Sequence, residues 1–155
     1  MILDNNLILS GAITAAGAVS YQTVTGTGNV LSTNTIDLGS NRDIGEGEDL
    51  YLRFQVGTVF AGLTALELQF IAADDAALTT NVTVIDSSGA IPVASLTAGA
   101  RFVLDLNPRI GSNGQRYIGA RYVITGTGTT GTLFADLGLE ISDGKKFYPS
   151  GFSVI

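Results

Sequence analysis

Leu50-Tyr-Leu-Arg-Phe-Gln-Val56 alternates apolar and polar residues without a break, and this alternation constrains the fold more than any other feature of the chain. Successive side chains of an extended strand point to opposite faces. Leu50, Leu52, Phe54 and Val56 therefore share one face, while Tyr51, Arg53 and Gln55 take the other. That is the pattern of a half-buried β-strand. The same rule recurs downstream. Leu66, Leu68, Phe70 and Ala72 alternate against Glu67 and Gln69. Phe102, Leu104 and Leu106 alternate against Val103 and Asp105. Leu133, Ala135, Leu137, Leu139 and Ile141 alternate against Phe134, Asp136, Gly138 and Glu140.

Strands are expected at residues 14–24, 33–38, 50–56, 65–72, 81–86, 91–95, 101–106, 117–125 and 132–141. Between them lies turn chemistry: TGTGN at 25–29, SSG at 87–89, GSNG at 111–114 and GTGTTG at 126–131. Glycine reaches positive φ without steric cost, and Asn and Ser bond their own backbone. About eight or nine short strands so punctuated read as an antiparallel sandwich or barrel. The stretch AADDAAL at 72–78 is too short to hold a helix by itself and reads as a connecting loop or a single turn. TGTG occurs at 25–28 and again at 125–128, but two copies of a turn do not make a repeat.

The 155 residues read as one domain, 1–155. A chain of this length buries roughly 68–70% of its unfolded surface, enough for a core without staples. There is no cysteine, so no disulfide framework and no thiolate chemistry, and the redox compartment stays open. There is no histidine either, which removes the usual general base and the usual transition-metal ligand. An enzyme built on this chain would depend on carboxylates, Tyr, Lys, Arg or Ser. The net charge is −6 and the eight basic residues are dispersed, so no stripe exists for nucleic acid. The first ten residues carry Asp4 and no Lys or Arg, unlike a signal peptide, and no apolar run reaches the roughly 18 residues of a membrane span. The expectation is a soluble, folded protein made in a cytoplasm.

Three motifs invite chemical readings. Gly126-Thr-Gly-Thr-Thr-Gly131 fits the dinucleotide fingerprint in letters, but that fingerprint must open a helix. The alternating segment at 132–141 follows instead, so a hairpin loop is the reading preferred here. Asp43, Glu46, Glu48 and Asp49 form the densest acidic cluster, yet their spacing is not that of a calcium loop, and a solvated loop is expected. Asp74 and Asp75 are a carboxylate pair, but sequence neighbours rarely converge on one substrate atom, and no enzymatic activity is expected. Of the aromatics, Phe54, Phe70 and Phe102 fall on apolar faces and are expected in the core. Tyr51, Tyr117 and Tyr122 are expected to be partly exposed. Arg121 and Tyr122, as strand neighbours, should point to opposite faces.

Met1-Ile-Leu-Asp4, Ile36-Asp-Leu-Gly39 and Arg42-Asp-Ile-Gly-Glu-Gly-Glu-Asp-Leu-Tyr-Leu52, in that order, resemble the jelly-roll cement proteins that decorate capsids of short-tailed bacteriophages. The likeness continues through Ile91-Pro-Val-Ala-Ser-Leu96, Arg116-Tyr-Ile-Gly119, residues 122–131 and Leu133-Phe-Ala135. It lies in the combination and order of the pieces. The tail after Asp143 falls outside it. The resemblance implies an all-β jelly roll. The apolar ends, 1–10 and 144–155, read by themselves either as peripheral strands or as extended arms that lie on a neighbour. The resemblance also implies a homo-oligomer, a dimer by preference and a trimer as the alternative. Such a protein sits on the outer capsid surface of the virion and bridges neighbouring capsomers of the major capsid protein. It is made in the host bacterial cytoplasm. The family has no catalytic residues, cofactor or metal to carry over.

Because large apolar side chains dominate interfaces, the expected contact residues are Ile2 and Leu3 at one end and Phe147, Tyr148 and Phe152 at the other. A receptor- or carbohydrate-binding module of a tail spike or fibre is the rival reading, motivated by the Thr/Ser/Asn-rich loops and the tyrosines. A carboxylate-only hydrolase has just the Asp74–Asp75 pair behind it.

Overall fold

The computed structural model describes residues 4–40, 50–106 and 114–139. Twelve strands appear among them: β1 (Ile8–Ser10), β2 (Ala12–Ile13), β3 (Val19–Ser20), β4 (Gln22–Thr23), β5 (Gly26–Leu31), β6 (Ile36–Asp37), β7 (Leu50–Val56), β8 (Ala61–Ala73), β9 (Thr83–Pro92), β10 (Arg101–Leu106), β11 (Tyr117–Thr130) and β12 (Thr132–Gly138). Helix is confined, among the described residues, to single 3-10 turns at Asn5–Leu7 and Val93–Ser95.

One sheet runs β1-β12-β7-β10, with β4 also paired to β12; the other runs β5-β11-β8-β9, with β6 also paired to β11. β2 and β3 form a separate two-stranded ribbon. The pairings are antiparallel throughout. The expected all-β sandwich is therefore what this sequence forms.

The alternation read from sequence is what makes the core. Leu52, Phe54 and Val56 of β7, Leu104 and Leu106 of β10, and Leu133, Ala135 and Leu137 of β12 pack into one cluster with residues of the second sheet. That sheet contributes Leu66, Leu68, Phe70 and Ala72 from β8 and Ile118, Ala120, Tyr122 and Ile124 from β11. Each fully buried large apolar side chain contributes about 1.5–3 kcal/mol relative to exposure. Phe54 and Phe70 are fully buried, and Phe102 packs half-buried against the same cluster. Tyr122 is wholly buried rather than partly exposed. It faces the core because Arg121 beside it takes the outer face. Its hydroxyl lies 2.5 Å from the Ser10 Oγ, and its ring meets Phe54 edge-on at 6.1 Å. Burial pushes its phenol up, against the opposing effect of the Ser10 hydrogen bond.

Three expected turns are strand instead. TGTGN at 25–29 lies largely in β5, and its counterpart at 125–128 lies in β11. The two copies are partners: Gly28 pairs with Ile124 and Gly26 with Gly128 across a bulged register. Glycine-rich strand is tolerated there because both neighbours lack bulk and the ladder supplies the backbone bonds. SSG at 87–89 lies inside β9, where register shifts against β8 absorb it.

GTGTTG at 126–131 is not a hairpin loop. β11 runs on to Thr130, and β12 starts at Thr132 in the other sheet. Gly131 makes the crossing, at φ +146°, with the Phe60 ring so close that a Cβ would meet it at 2.1 Å. The expected strand at 14–24 holds only the short β3 and β4, with β2 ending just before it, because Thr14 accepts from Gly17 and Ala18 and turns the chain back. The expected strand at 91–95 supplies only the end of β9 before a 3-10 turn.

Candidate functional site

β7 and β12 are buried on both faces, and the outer one holds an ion pair. Arg53 and Asp136 stand opposite each other in the ladder. Nη2 and Nε of Arg53 reach the same Oδ1 of Asp136 at 2.7 and 2.8 Å. Their side chains are only 8% and 4% exposed. Burial pushes Asp136 above the usual carboxylate range, while the Arg53 guanidinium pulls it back. Phe134 lies beside the pair, its ring centroid 6.0 Å from the guanidinium carbon. Tyr21 meets Phe134 edge-on, and a Cβ at Gly11 would strike Phe134, so the segment carrying the β2–β3 ribbon presses onto this face. The pair anchors two strands and a covering ribbon. Such a network holds geometry; it presents no free acid to a substrate.

The outer face of the second sheet carries a polar ladder. Arg121 Nε donates to Gln69 Oε1 at 2.7 Å, and Gln69 Nε2 donates to Glu67 Oε1 at 2.7 Å. Ser87 Oγ donates to the same Glu67 oxygen at 2.5 Å. These bonds, Ser87 foremost, hold Glu67 below its ordinary range. The cross-strand register of β11, β8 and β9 brings the four together.

Asp74 and Asp75 shape the loop between β8 and β9. Asp75 accepts from the amides of Thr79 and Thr80 at 2.9 and 2.7 Å and from the Thr79 hydroxyl at 2.8 Å. Asp74 accepts from Asn81 Nδ2 at 3.1 Å. Leu78 and Asn81 adopt left-handed φ of 56° and 50°. Leu78 is buried against Gly119, where a Cβ would meet it at 2.4 Å. Gln115, also buried, donates to the Asn81 carbonyl and to Thr83 Oγ1. The two carboxylates fold a loop onto the sheet.

The acidic residues Asp43, Glu46, Glu48 and Asp49 lie outside the described residues, as do Ile2, Leu3, Phe147, Tyr148 and Phe152. Among the described residues no three of His, Cys, Asp and Glu come together as metal ligands. No helix among them is long and apolar enough to cross a membrane. Tyr51 and Tyr117 are partly exposed, as expected. The large apolar side chains exposed among the described residues are Leu7, Val19, Tyr21, Val59, Val84, Val103 and Leu139. Gln22 carries a role that no sequence signal announced: its amide joins the two sheets at Leu31 and Thr33.

A family model described as Bbp16 matches residues 10–137, which span both sheets from β1 to β12. The chain belongs to the Bbp16 family. The Bbp16 match takes in Arg53, Asp136, the polar ladder and the β8–β9 loop, so the features described above lie within the family's extent. No curated protein matches this Bbp16 chain.

Proposed function

We propose that this Bbp16-family protein is a capsid cement protein: it binds the outer surface of a bacteriophage shell, bridges neighbouring capsomers of the major capsid protein and stabilises the shell without catalysis. The observation that carries the reading is the strand order. Counting only the four strands on each main path, in chain order, the sheets run 1-8-3-6 and 2-7-4-5. That interleaving is what two Greek keys wound into a jelly roll produce, the fold common in viral capsid domains. It agrees with the fold implied by the resemblance to short-tailed phage cement proteins. The chemistry of the surface agrees too. Asp37, Glu67, Asp74, Asp75 and Asp136 are each engaged by a partner within the chain, which suits bracing.

The terminal residues Ile2, Leu3, Phe147, Tyr148 and Phe152 are the proposed capsid anchors, on the strength of their apolar bulk. The test is co-sedimentation with shells that lack the protein. Saturable binding at a fixed ratio to the capsid subunit, with a gain in shell heat resistance, is the expected result. Deleting residues 147–155 should weaken that binding while leaving the β fold intact. Absence of binding, together with a positive glycan screen, would move the assignment to a receptor-binding module.

A further inference from the structure

Beneath the β8–β9 loop lies a second, smaller apolar cluster. Leu68, Phe70 and Ala72 of β8 face the main core, so Ile71 and Ala73, which alternate with them, face outward. Both are fully buried all the same. Leu78 covers them, and Leu31, Val82 and Tyr117 pack half-buried around it. Gly119 stands opposite Ile71 in the ladder, and its missing side chain makes the room: a Cβ there would lie 2.4 Å from Leu78 Cδ1. Leu78 therefore fills a leucine-sized seat on the outer face of the second sheet.

The loop that delivers Leu78 is tied at its neck and lightly held elsewhere. The Asp74 amide donates to the Thr80 carbonyl at 3.0 Å, Asn81 Nδ2 donates to Asp74, and the Thr79 and Thr80 amides donate to Asp75. Between Asp74 and Asn81 only Leu78 is buried. Among the described residues, two side chains outside the loop bond to it: Thr35 Oγ1 donates to the Ala76 carbonyl at 2.9 Å, and Gln115 to the Asn81 carbonyl. Leu78 also sits at φ 56°, where bulky L side chains are rarely found. Such residues persist where their surroundings over-determine them, and they gather at clamps and switches. Here the backbone opposes the placement that burial of the side chain favours. The rim of the seat is open: Val84, opposite Ile71 on β9, is 40% exposed.

We propose that Leu78 is a built-in stand-in for a partner's side chain. In the free protein it keeps the seat closed, so that no bare apolar patch is offered to solvent. On the shell, an aliphatic side chain of the major capsid protein takes the seat, and the loop swings out about its tied neck. Leu78 specifies the occupant: uncharged, aliphatic and of leucine size. A polar group would lose its hydration against Ile71, Ala73 and Leu31. This inference rests on the cement reading and names a contact which that reading would use.

The test uses shells that lack the protein, with the wild type, Leu78→Gly and Gly119→Ala, each first shown folded by thermal unfolding. Leu78→Gly empties the seat and accepts a positive φ without strain. It should bind shells roughly tenfold tighter, the scale set by burying one leucine side chain. Gly119→Ala puts a methyl into the seat and should bind about tenfold more weakly by the same measure. Opposite signs do not come from a shared loss of stability. Hydrogen exchange on the wild type needs no variant: the peptide covering 74–82 should exchange faster on the shell than free. Affinity unchanged or lowered in Leu78→Gly, affinity undiminished in Gly119→Ala, or a loop peptide slowed on the shell overturns the proposal. A wild type that leaves shells unbound overturns the cement reading along with it; a wild type that binds while both variants match it overturns this inference alone.

Discussion

Arg53 and Asp136 stand opposite each other on β7 and β12, with both side chains almost sealed from solvent. Removing one member of a buried pair leaves an uncompensated charge, at a cost of about 3–5 kcal/mol. Arg53→Met should lose about that much at pH 7. The loss should shrink as pH falls, because burial already pushes Asp136 upward and without Arg53 the carboxyl takes a proton more readily. Urea unfolding of R53M at pH 7 and pH 5 measures this; equal losses at both would show that Asp136 does not carry it.

Acid should unfold the wild type through other carboxylates. Asp37, bonded by Nε and Nη2 of Arg116 at 2.6 Å each, is held down from 3.8 to about 2, and Glu67 and Asp75 are also lowered. A carboxylate depressed in the folded state contributes stability above its unfolded pKa and loses it as pH falls through the folded one. The folded state should therefore weaken between about pH 4 and pH 2. Asp136 has the opposite sign: its raised pKa favours the folded state in acid. Asp37→Asn should flatten the decline over that range in a pH series of thermal unfolding midpoints.

Gly131→Ala should be strongly destabilising. The new methyl would overlap the Phe60 ring, and the φ of +146° is one that L side chains rarely adopt. Overpacking of this kind costs about 1–3 kcal/mol. In a double-mutant cycle, Phe60→Leu with Gly131→Ala should cost less than the sum of the two singles, since the smaller side chain at position 60 removes the clash that the Gly131→Ala single contains. Strict additivity would place the effect in the backbone alone.

Tyr122→Phe should cost about 1–3 kcal/mol, because the buried Ser10 hydroxyl then faces a ring with no partner. Adding Ser10→Ala should restore part of it. Denaturant midpoints of the two singles and the double give the coupling directly.

Alternation made β7 and β10 legible to the residue, because one face of each strand is core and the residues say so. It could not tell what covers the other face. Arg53 and Asp136 read as outward, and they are, yet Phe134, Tyr21 and the β2–β3 ribbon bury that side as well. Tyr122 sat on the apolar set of its strand but carries a hydroxyl, and only Ser10, 112 positions away, made burial tolerable.

The largest misreading was of glycine. Gly and Thr at 25–29 and 126–131 have turn propensity, but local propensity yields when the ladder partner has the same composition and supplies the backbone bonds. At the N-terminal end a peripheral strand and an arm at 1–10 look alike in sequence, because three residues with a bulge show no period; Ile8, Leu9 and Ser10 are buried strand paired to β12, not arm. Of the expected contact residues, all five fall outside the described residues, so the proposed capsid anchors rest on sequence alone.

No charged residue stands between Asp4 and Asp37, so β5 differs from the edge strands β9 and β10 in its response to salt. Contacts made through β5 would depend on backbone hydrogen bonds and should change little as ionic strength rises. Contacts made through β9 and β10 involve the half-buried Asp86 and the exposed Arg101 and Asp105, and should be screened within a Debye length of about 8 Å at physiological salt. Ionic strength is thus a dial that reaches β9 and β10 and leaves β5 alone.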